Sequence, residues 1–186
     1  MIRVEIDKSV MQRLSKEWKK KLEYELDSIA YDVGREIIDR AIKNLEEDNA
    51  IATGYLKNSA FVELLGEGSV RVGFSAPYAI FVEYGTNEYT APPPINKIEE
   101  WVKAKFGYDG RKAHSIAYTI SREIFERGTE PRWFFKNALY SVLFELDRAG
   151  AQVEGISRGE YYVVAKEEHK SLWRRILDKI KRVFRW

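Results

Sequence analysis

Glu83 is the side chain in this 186-residue sequence whose surroundings most suggest chemistry. It lies in the apolar segment Tyr78–Tyr84, and the pattern there predicts a short buried helix. A buried carboxylate requires either a partner or a raised pKa. One interpretation is therefore a general base in an active site. The other is a structural hydrogen bond or ion pair that holds the turn at Gly85-Thr86.

Other residues that support catalysis or metal binding are scarce. The sequence contains no cysteine, which excludes disulfides and thiolate chemistry. Its two histidines, His114 and His169, have no Cys, His or Asp neighbours at metal-ligand spacing, so we expect a helix-capping residue and an exposed one. Gly66-Glu67-Gly68 lacks the further glycine of a phosphate-binding loop and predicts a hairpin turn instead. We expect no enzyme, no cofactor and no metal.

A long helix is predicted before this segment, from Lys8 to Asp48, because apolar residues recur every three or four positions. About 40 residues at 1.5 Å each give ~60 Å, whereas a compact domain of this size spans ~35–40 Å. The helix is therefore expected to lie across a sheet, with Gly34 as a candidate bend, or to pack against another subunit. Alternating apolar residues in Ile2–Ile6 predict a strand at the edge of a hairpin sheet.

The predicted hairpin combines strands at Leu56–Leu65 and Val70–Phe74 around the turn Gly66–Ser69. We expect a small antiparallel β-sheet packed against the long helix, with additional helices, in an α+β fold. The remaining elements follow in chain order: an exposed loop at Asn87–Pro93, helices at 94–106 and 112–127, a loop at Gly128–Arg132, a helix at 133–148, a loop at 150–159, a strand at 160–165 and a helix at 166–186.

A series of short motifs runs along the chain in this order: Thr53-Gly54-Tyr55-Leu56-Lys57-Asn58-Ser59, Val72-Gly73, Tyr78-Ala79, Val82-Glu83-Tyr84-Gly85-Thr86 and Pro131-Arg132-Trp133-Phe134-Phe135-Lys136-Asn137-Ala138-Leu139. The order and spacing of these motifs resemble those of a known family, the tail-completion or head–tail joining (neck) proteins of tailed phages and proviruses. The resemblance covers roughly residues 7 to 150. It implies that residues 1–150 form the family-like domain, with 94–127 a two-helix insertion typical of longer members, and that 151–186 form a C-terminal strand and basic helix.

This resemblance implies a structural protein that joins a head or connector to the tail, or completes the tail end. Members form rings around a channel that DNA traverses, so the expected partners are further copies of the chain, connector or head-adaptor proteins and tail proteins. The expected location is the virion, after synthesis in the host cytoplasm, and the Glu83 carboxylate is expected to be structural. The interface candidates are Tyr84, Gly85, Thr86, Tyr89, Pro92, Pro93, Thr129, Pro131 and Trp133.

The C-terminal segment supports an alternative function. From Lys170 to Arg185 it carries seven basic residues and the single acid Asp178, a net charge of +6, beside an apolar stripe. Such a helix packs on its own subunit, docks on a partner, approaches nucleic acid or lies on a membrane. The alternative is therefore a nucleic-acid-binding adaptor. No apolar run approaches the ~18–20 residues that span a bilayer, and we expect no membrane. The basic residues are Lys170, Arg174, Arg175, Lys179, Lys181, Arg182 and Arg185.

Overall fold

The fold is α+β, as predicted, in a computed structural model that describes residues 2–5, 16–148, 151–156 and 160–165. Within these residues a long helix precedes a β-hairpin, and further helices follow. The elements are β1 (Ile2–Glu5), α1 (Lys16–Glu47), α2 (Tyr55–Asn58), β2 (Ala60–Gly66), β3 (Ser69–Phe74), α3 (Ala79–Tyr84), α4 (Ile95–Phe106), α5 (Gly110–Arg127), α6 (Phe134–Arg148), β4 (Ala151–Ile156) and β5 (Glu160–Ala165).

The described strands form one sheet in the order β2-β3-β1-β5-β4. β1 pairs with β3 antiparallel, Ile2 opposite Val70, which confirms its predicted place beside the hairpin. On its other side β1 pairs with β5 in parallel, so the sheet contains one parallel pair beyond the expected antiparallel arrangement. β4 and β5 form a second antiparallel pair.

Helix α1 packs on the hairpin where it carries a glycine. It is continuous over 32 residues, or about 48 Å at 1.5 Å per residue. A Cβ placed on Gly34 would lie 2.8 Å from Val72 Cγ1 and 3.0 Å from Val62 Cγ1. Gly34 therefore permits close approach of the helix to the strands and does not interrupt the helix. Asp27 adds a second contact, since its Oδ1 accepts a hydrogen bond of 2.7 Å from the Gly68 amide in the hairpin turn.

Two boundary predictions were wrong. The predicted strand Leu56–Leu65 begins instead with the one-turn helix α2, because Gly54 adopts a left-handed φ of 75° and the Leu56 side chain is buried. The predicted loop at 150–159 contains strand β4, whose backbone pairs with β5 from Ala151 opposite Ala165 to Ile156 opposite Glu160. Glycines around this segment suggested a loop, but pairing along the ladder satisfies the strand's backbone groups.

The chain divides into two compact units. The first consists of Met1–Arg40, Phe61–Gly73 and Asn137–Trp186, and in it Arg40 makes hydrogen bonds of 2.7 and 2.6 Å to both carboxylate oxygens of Glu145. The second consists of Ala41–Ala60 and Phe74–Lys136. The division that the sequence suggested at residue 150 stays a prediction.

Inside the second unit, α4 and α5 form a helical hairpin with its own small core. Val102, Ala113 and Ala117 are fully buried there, and isoleucines of both helices pack around them. The two helices were predicted, although α5 begins at Gly110 rather than Lys112. Its N-cap is Asp109, whose carboxylate accepts a hydrogen bond from the Gly110 amide. That the pair is an insertion relative to shorter proteins stays a prediction.

Some predictions fall on residues that the structure does not describe. The first turns of the long helix, at residues 8–15, and the C-terminal helix at 166–186 both lie outside the described residues. None of the helices that the structure describes is long and apolar enough to cross a membrane.

We expect Gly34→Val to lower the free energy of unfolding by about 1–3 kcal/mol, because the new side chain overlaps valines of the hairpin. Urea unfolding monitored by circular dichroism measures this change. The matched control is Tyr24→Val, which places the same β-branched residue on an exposed position of α1. Equal stabilities of the two variants would contradict the close packing at Gly34.

Candidate interaction surface

Two Gly-Thr dipeptides, 43 residues apart, pair with each other and fix the loops on which they lie. The amide of Thr86 donates to the carbonyl of Thr129, and the amide of Thr129 donates to the carbonyl of Thr86, each at 3.1 Å. Their hydroxyl oxygens lie 3.2 Å apart. We call this pairing of Gly85-Thr86 with Gly128-Thr129 the Gly-Thr clasp. Gly85, Thr86 and Thr129 are among the interface candidates predicted from the sequence, but their pairing was not predicted.

The two glycines of the clasp have nearly the same backbone conformation. Gly85 has φ 70° and ψ −171°, and Gly128 has φ 71° and ψ −166°, a region open essentially to glycine alone. A Cβ on Gly85 would overlap the carbonyl oxygen of Thr129, and one on Gly128 would overlap that of Thr86. Both positions therefore require glycine for conformation and for space.

The pairing extends from the clasp to the start of α6. The amide of Arg132 donates to the carbonyl of Val82, and the amide of Trp133 donates to that of Glu83, each at 3.1 Å. Pro131 lies between the clasp and these bonds. Four backbone hydrogen bonds therefore join the C-terminal end of α3 and the Thr86 loop to the segment before α6.

Glu83 caps the N-terminus of α6. Its Oε2 accepts a hydrogen bond from the Phe135 amide and its Oε1 one from the Lys136 amide, both at 2.9 Å. These are the second and third helical positions, which an N-cap side chain normally serves. Trp133, just before the helix, has no side-chain acceptor. Both oxygens of the buried carboxylate are therefore engaged in the structural role, and its negative charge lies at the positive end of the helix dipole.

Helix α3 is exposed where the sequence predicted burial on most sides. Ile80 is 59% exposed, Phe81 53% and Tyr84 58%, and the buried side chain of the helix is Glu83. The prediction was wrong because a six-residue helix offers the interior only one narrow stripe, and the carboxylate occupies it. Ile80, Phe81 and Tyr84, on the other sides of the helix, face solvent.

Neighbouring rings extend this exposed face. The rings of Tyr55 and Tyr78 lie 6.0 Å apart, and both side chains are exposed. Partial burial raises the pKa of Tyr78, the nearby Tyr55 adds to the shift, and a hydrogen bond with the Leu56 backbone opposes it. The phenol therefore stays neutral at physiological pH. We define the α3 face as Tyr55, Tyr78, Ile80, Phe81 and Tyr84.

Trp133 supports one end of the α3 face. Its half-buried ring packs edge-on against Tyr84 at 5.2 Å, and Lys136 Nζ lies 4.2 Å from its centroid. The five side chains of the α3 face are between 40% and 59% exposed. Exposed apolar patches often mark sites of protein interaction. The face therefore offers a partner aromatic and aliphatic side chains on one short helix and its flanks.

The Asn87–Pro93 loop is ordered by bonds to α5. The amide of Tyr89 donates to the carbonyl of Phe125 at 2.7 Å, and their rings pack at 5.7 Å. The Ser121 hydroxyl donates to the carbonyl of Pro93 at 2.8 Å, and Pro92 is exposed. Tyr89, Pro92 and Pro93 thus belong to a fixed loop in contact with the helical hairpin.

The predicted helix-capping role of His114 was wrong. His114 lies within α5, is exposed, and its Nδ1 is 3.0 Å from Glu99 Oε2. His114, followed by Lys103, lowers the pKa of Glu99. Within the described part of the chain, no group of three or more His, Cys, Asp or Glu residues is placed to hold a metal ion. The basic residues predicted at 170–185 lie outside the described residues.

We expect Gly85→Ala to destabilise the protein by about 2–4 kcal/mol, because it adds backbone strain and an overlap with the Thr129 carbonyl. Thermal and urea unfolding measure the loss. Gly107→Ala is the matched control, since Gly107 has φ 69° but open space around its Cβ position, and it should cost only about 1–2 kcal/mol. Similar losses for both variants would show that the overlap does not matter.

Removing the Glu83 cap of α6 is expected to lower the free energy of unfolding independently of the clasp. Glu83→Ala leaves two helix amides without an acceptor and should cost about 1–3 kcal/mol, while Glu83→Gln retains one acceptor and should cost less. Glu88→Ala, at an exposed acid nearby in sequence, should leave the unfolding midpoint unchanged. A neutral effect of Glu83→Ala in urea unfolding would contradict the capping role.

Comparisons of this chain with protein-family models, with curated proteins and with solved structures found no match. The features of this chain that bear on its function are therefore the exposed α3 face, the clasp and the cap that fix it, and the motif order of the sequence.

Proposed function

We propose that the chain is a structural protein of a tailed-phage virion that joins the head or its connector to the tail, or completes the tail end, as a ring of identical subunits. It is made in the host cytoplasm and acts through contact rather than catalysis. The motif order supports this family assignment. The observation that carries the proposal is the α3 face, an apolar helix presented to solvent on a fixed support.

The fixed support bears directly on binding. Ordering a loop on association costs free energy, so a surface that is already ordered retains more of its contact energy. The clasp holds α3 at its C-terminal end, and the two hydrogen bonds that Glu83 accepts from backbone amides hold it on its buried side. Aromatic side chains such as Phe81 and Tyr84 have few rotatable bonds and dominate the energy of many interfaces. We assign the α3 face to a neighbouring virion protein, either the connector or a tail protein.

The residues that first suggested catalysis fit this assignment. Glu83 is buried and each of its carboxylate oxygens accepts a backbone hydrogen bond from α6, which supports a structural role for this side chain. The carboxylate of Glu83 caps α6. Because Glu83 must face α6, the side of α3 that carries Ile80, Phe81 and Tyr84 faces solvent.

A nucleic-acid-binding adaptor is the second candidate, favoured by the +6 charge of residues 170–185. It predicts affinity for duplex DNA that falls steeply with salt and disappears when residues 167–186 are deleted. The joining function predicts weak affinity for free duplex DNA, with or without those residues. Fluorescence anisotropy with a labelled duplex at two salt concentrations separates the two candidates.

We expect deletion of the gene, in the phage or provirus that encodes this chain, to leave DNA-filled heads and separate tails in electron micrographs. Expression of the wild-type chain in trans restores joined particles. Phe81→Ser should not restore them, because it removes an apolar anchor of the α3 face. Tyr118→Ser should, because it alters an equally exposed aromatic residue on α5, outside that face. Infective, joined particles in the absence of the gene would overturn the proposed function.

A further inference from the structure

The segment Ala91–Pro94, which we call the proline segment, is held in an extended conformation that another protein surface can bind. Each of its first three residues precedes a proline, and sterics restrict such residues to extended or polyproline II conformation. Pro94 itself has φ −58° and ψ 124°. The hydroxyl of Ser121 binds the Pro93 carbonyl, while Ala91, Pro92 and Pro94 are exposed. The segment therefore presents proline rings to solvent in a conformation that binding does not need to order.

A row of aromatic rings lies at the other end of α4. Phe106 contacts Trp101 edge-on at 5.5 Å and stacks on Tyr108 at 6.2 Å. Lys112 Nζ lies 3.8 Å from the Tyr108 centroid and continues the row. Phe106 is 53% exposed and Tyr108 38%, while Trp101 is half-buried and packs on the core between α4 and α5. Polyproline II segments dock on surfaces that aromatic side chains line. We call Trp101, Phe106 and Tyr108 the aromatic row.

The two features cannot meet within one chain. The proline segment ends at Pro94, the N-cap residue of α4, and the aromatic row is centred on Phe106, the last residue of that helix. The 12 residues of the helix span about 18 Å. A contact between two copies has no such restriction. It is also favoured by charge, since the loop before the prolines carries the exposed Glu88. The first turn of α5, beside the row, carries the exposed Arg111 and Lys112, and the neighbouring acid Asp109 is already paired with Lys103.

We propose that the proline segment of one copy docks on the aromatic row of the next copy. The two surfaces differ, so the contact is heterologous, and heterologous contacts repeat until they close into a ring or extend as a filament. This inference rests on the homo-oligomeric part of the proposed function and names the residues that pair the subunits. The proposed contact assigns a function to the α4–α5 hairpin, because the prolines lie at one end of α4 and the rings that bind them lie at the other.

Sedimentation velocity of the purified full-length chain over a wide range of concentrations tests the proposal. The wild type is expected to associate beyond the dimer. Pro92→Gly, which removes a ring and loosens the segment, and Tyr108→Ala, which shortens the row, should each weaken association by about tenfold or more. Tyr118→Ala is the matched control and should assemble like the wild type. Circular dichroism confirms that each variant keeps the fold.

Mixing the two variants provides the sharper result. Pro92→Gly retains an intact aromatic row and Tyr108→Ala an intact proline segment, so an equimolar mixture should form heterodimers and nothing larger. A monomeric wild type, variants that assemble like the wild type, or a mixture that stays monomeric would each overturn this inference. The head–tail joining test in the encoding phage is independent of these outcomes, so a failure here leaves the proposed function to be judged by that test.

Discussion

A single carboxylate placed between two backbone amides determines the arrangement around the candidate surface. Helix α6 begins after Trp133, a residue with φ 52° and no acceptor in its side chain, so the amides of its first turn must find an acceptor elsewhere. Glu83 supplies it from α3, with both oxygens at 2.9 Å. The requirement for a charged group at this point explains why a buried position in an apolar helix is acidic, and why the apolar residues of that helix face outward.

The same geometry explains the repeated Gly-Thr dipeptide. For Glu83 of α3 to reach the start of α6, the loops that carry Gly85-Thr86 and Gly128-Thr129 must approach within backbone hydrogen-bonding distance. That approach leaves no room for a Cβ on either glycine. The threonine amides and carbonyls then pair in both directions. A rigid connection results from a few local bonds, and a rigid support is what an exposed recognition helix requires if its ordering cost is to be met by folding and not by binding.

The sequence predicted the parts of this arrangement that depend on local preference. Periodicity identified α1, α4, α5 and α6, and glycines identified the hairpin turn and the end of α3. It could not predict which side of α3 is buried, because Ile80, Phe81 and Tyr84 resemble core residues unless the competing claim of Glu83 on the interior is known. Nor could it show that Thr86 and Thr129 pair, since that contact depends on where the intervening helical hairpin returns the chain. Strand β4 was missed because its pairing partner, and not its composition, determines it.

The two surfaces described here would bind by different physics. The α3 face is broad and aromatic, so its affinity would come from apolar area and from a few anchors in one partner.

The proline segment is narrow, and a single contact through it would be weak and reversible. In a closed ring, however, each subunit is held by two such contacts, and the second forms at the high effective concentration that the first creates. Weak lateral contacts would then allow incorrect assemblies to dissociate before the α3 faces, aligned around the ring, bind their partner together. The preformed loop, held by Tyr89 and Ser121, lowers the ordering cost of each contact without increasing its area.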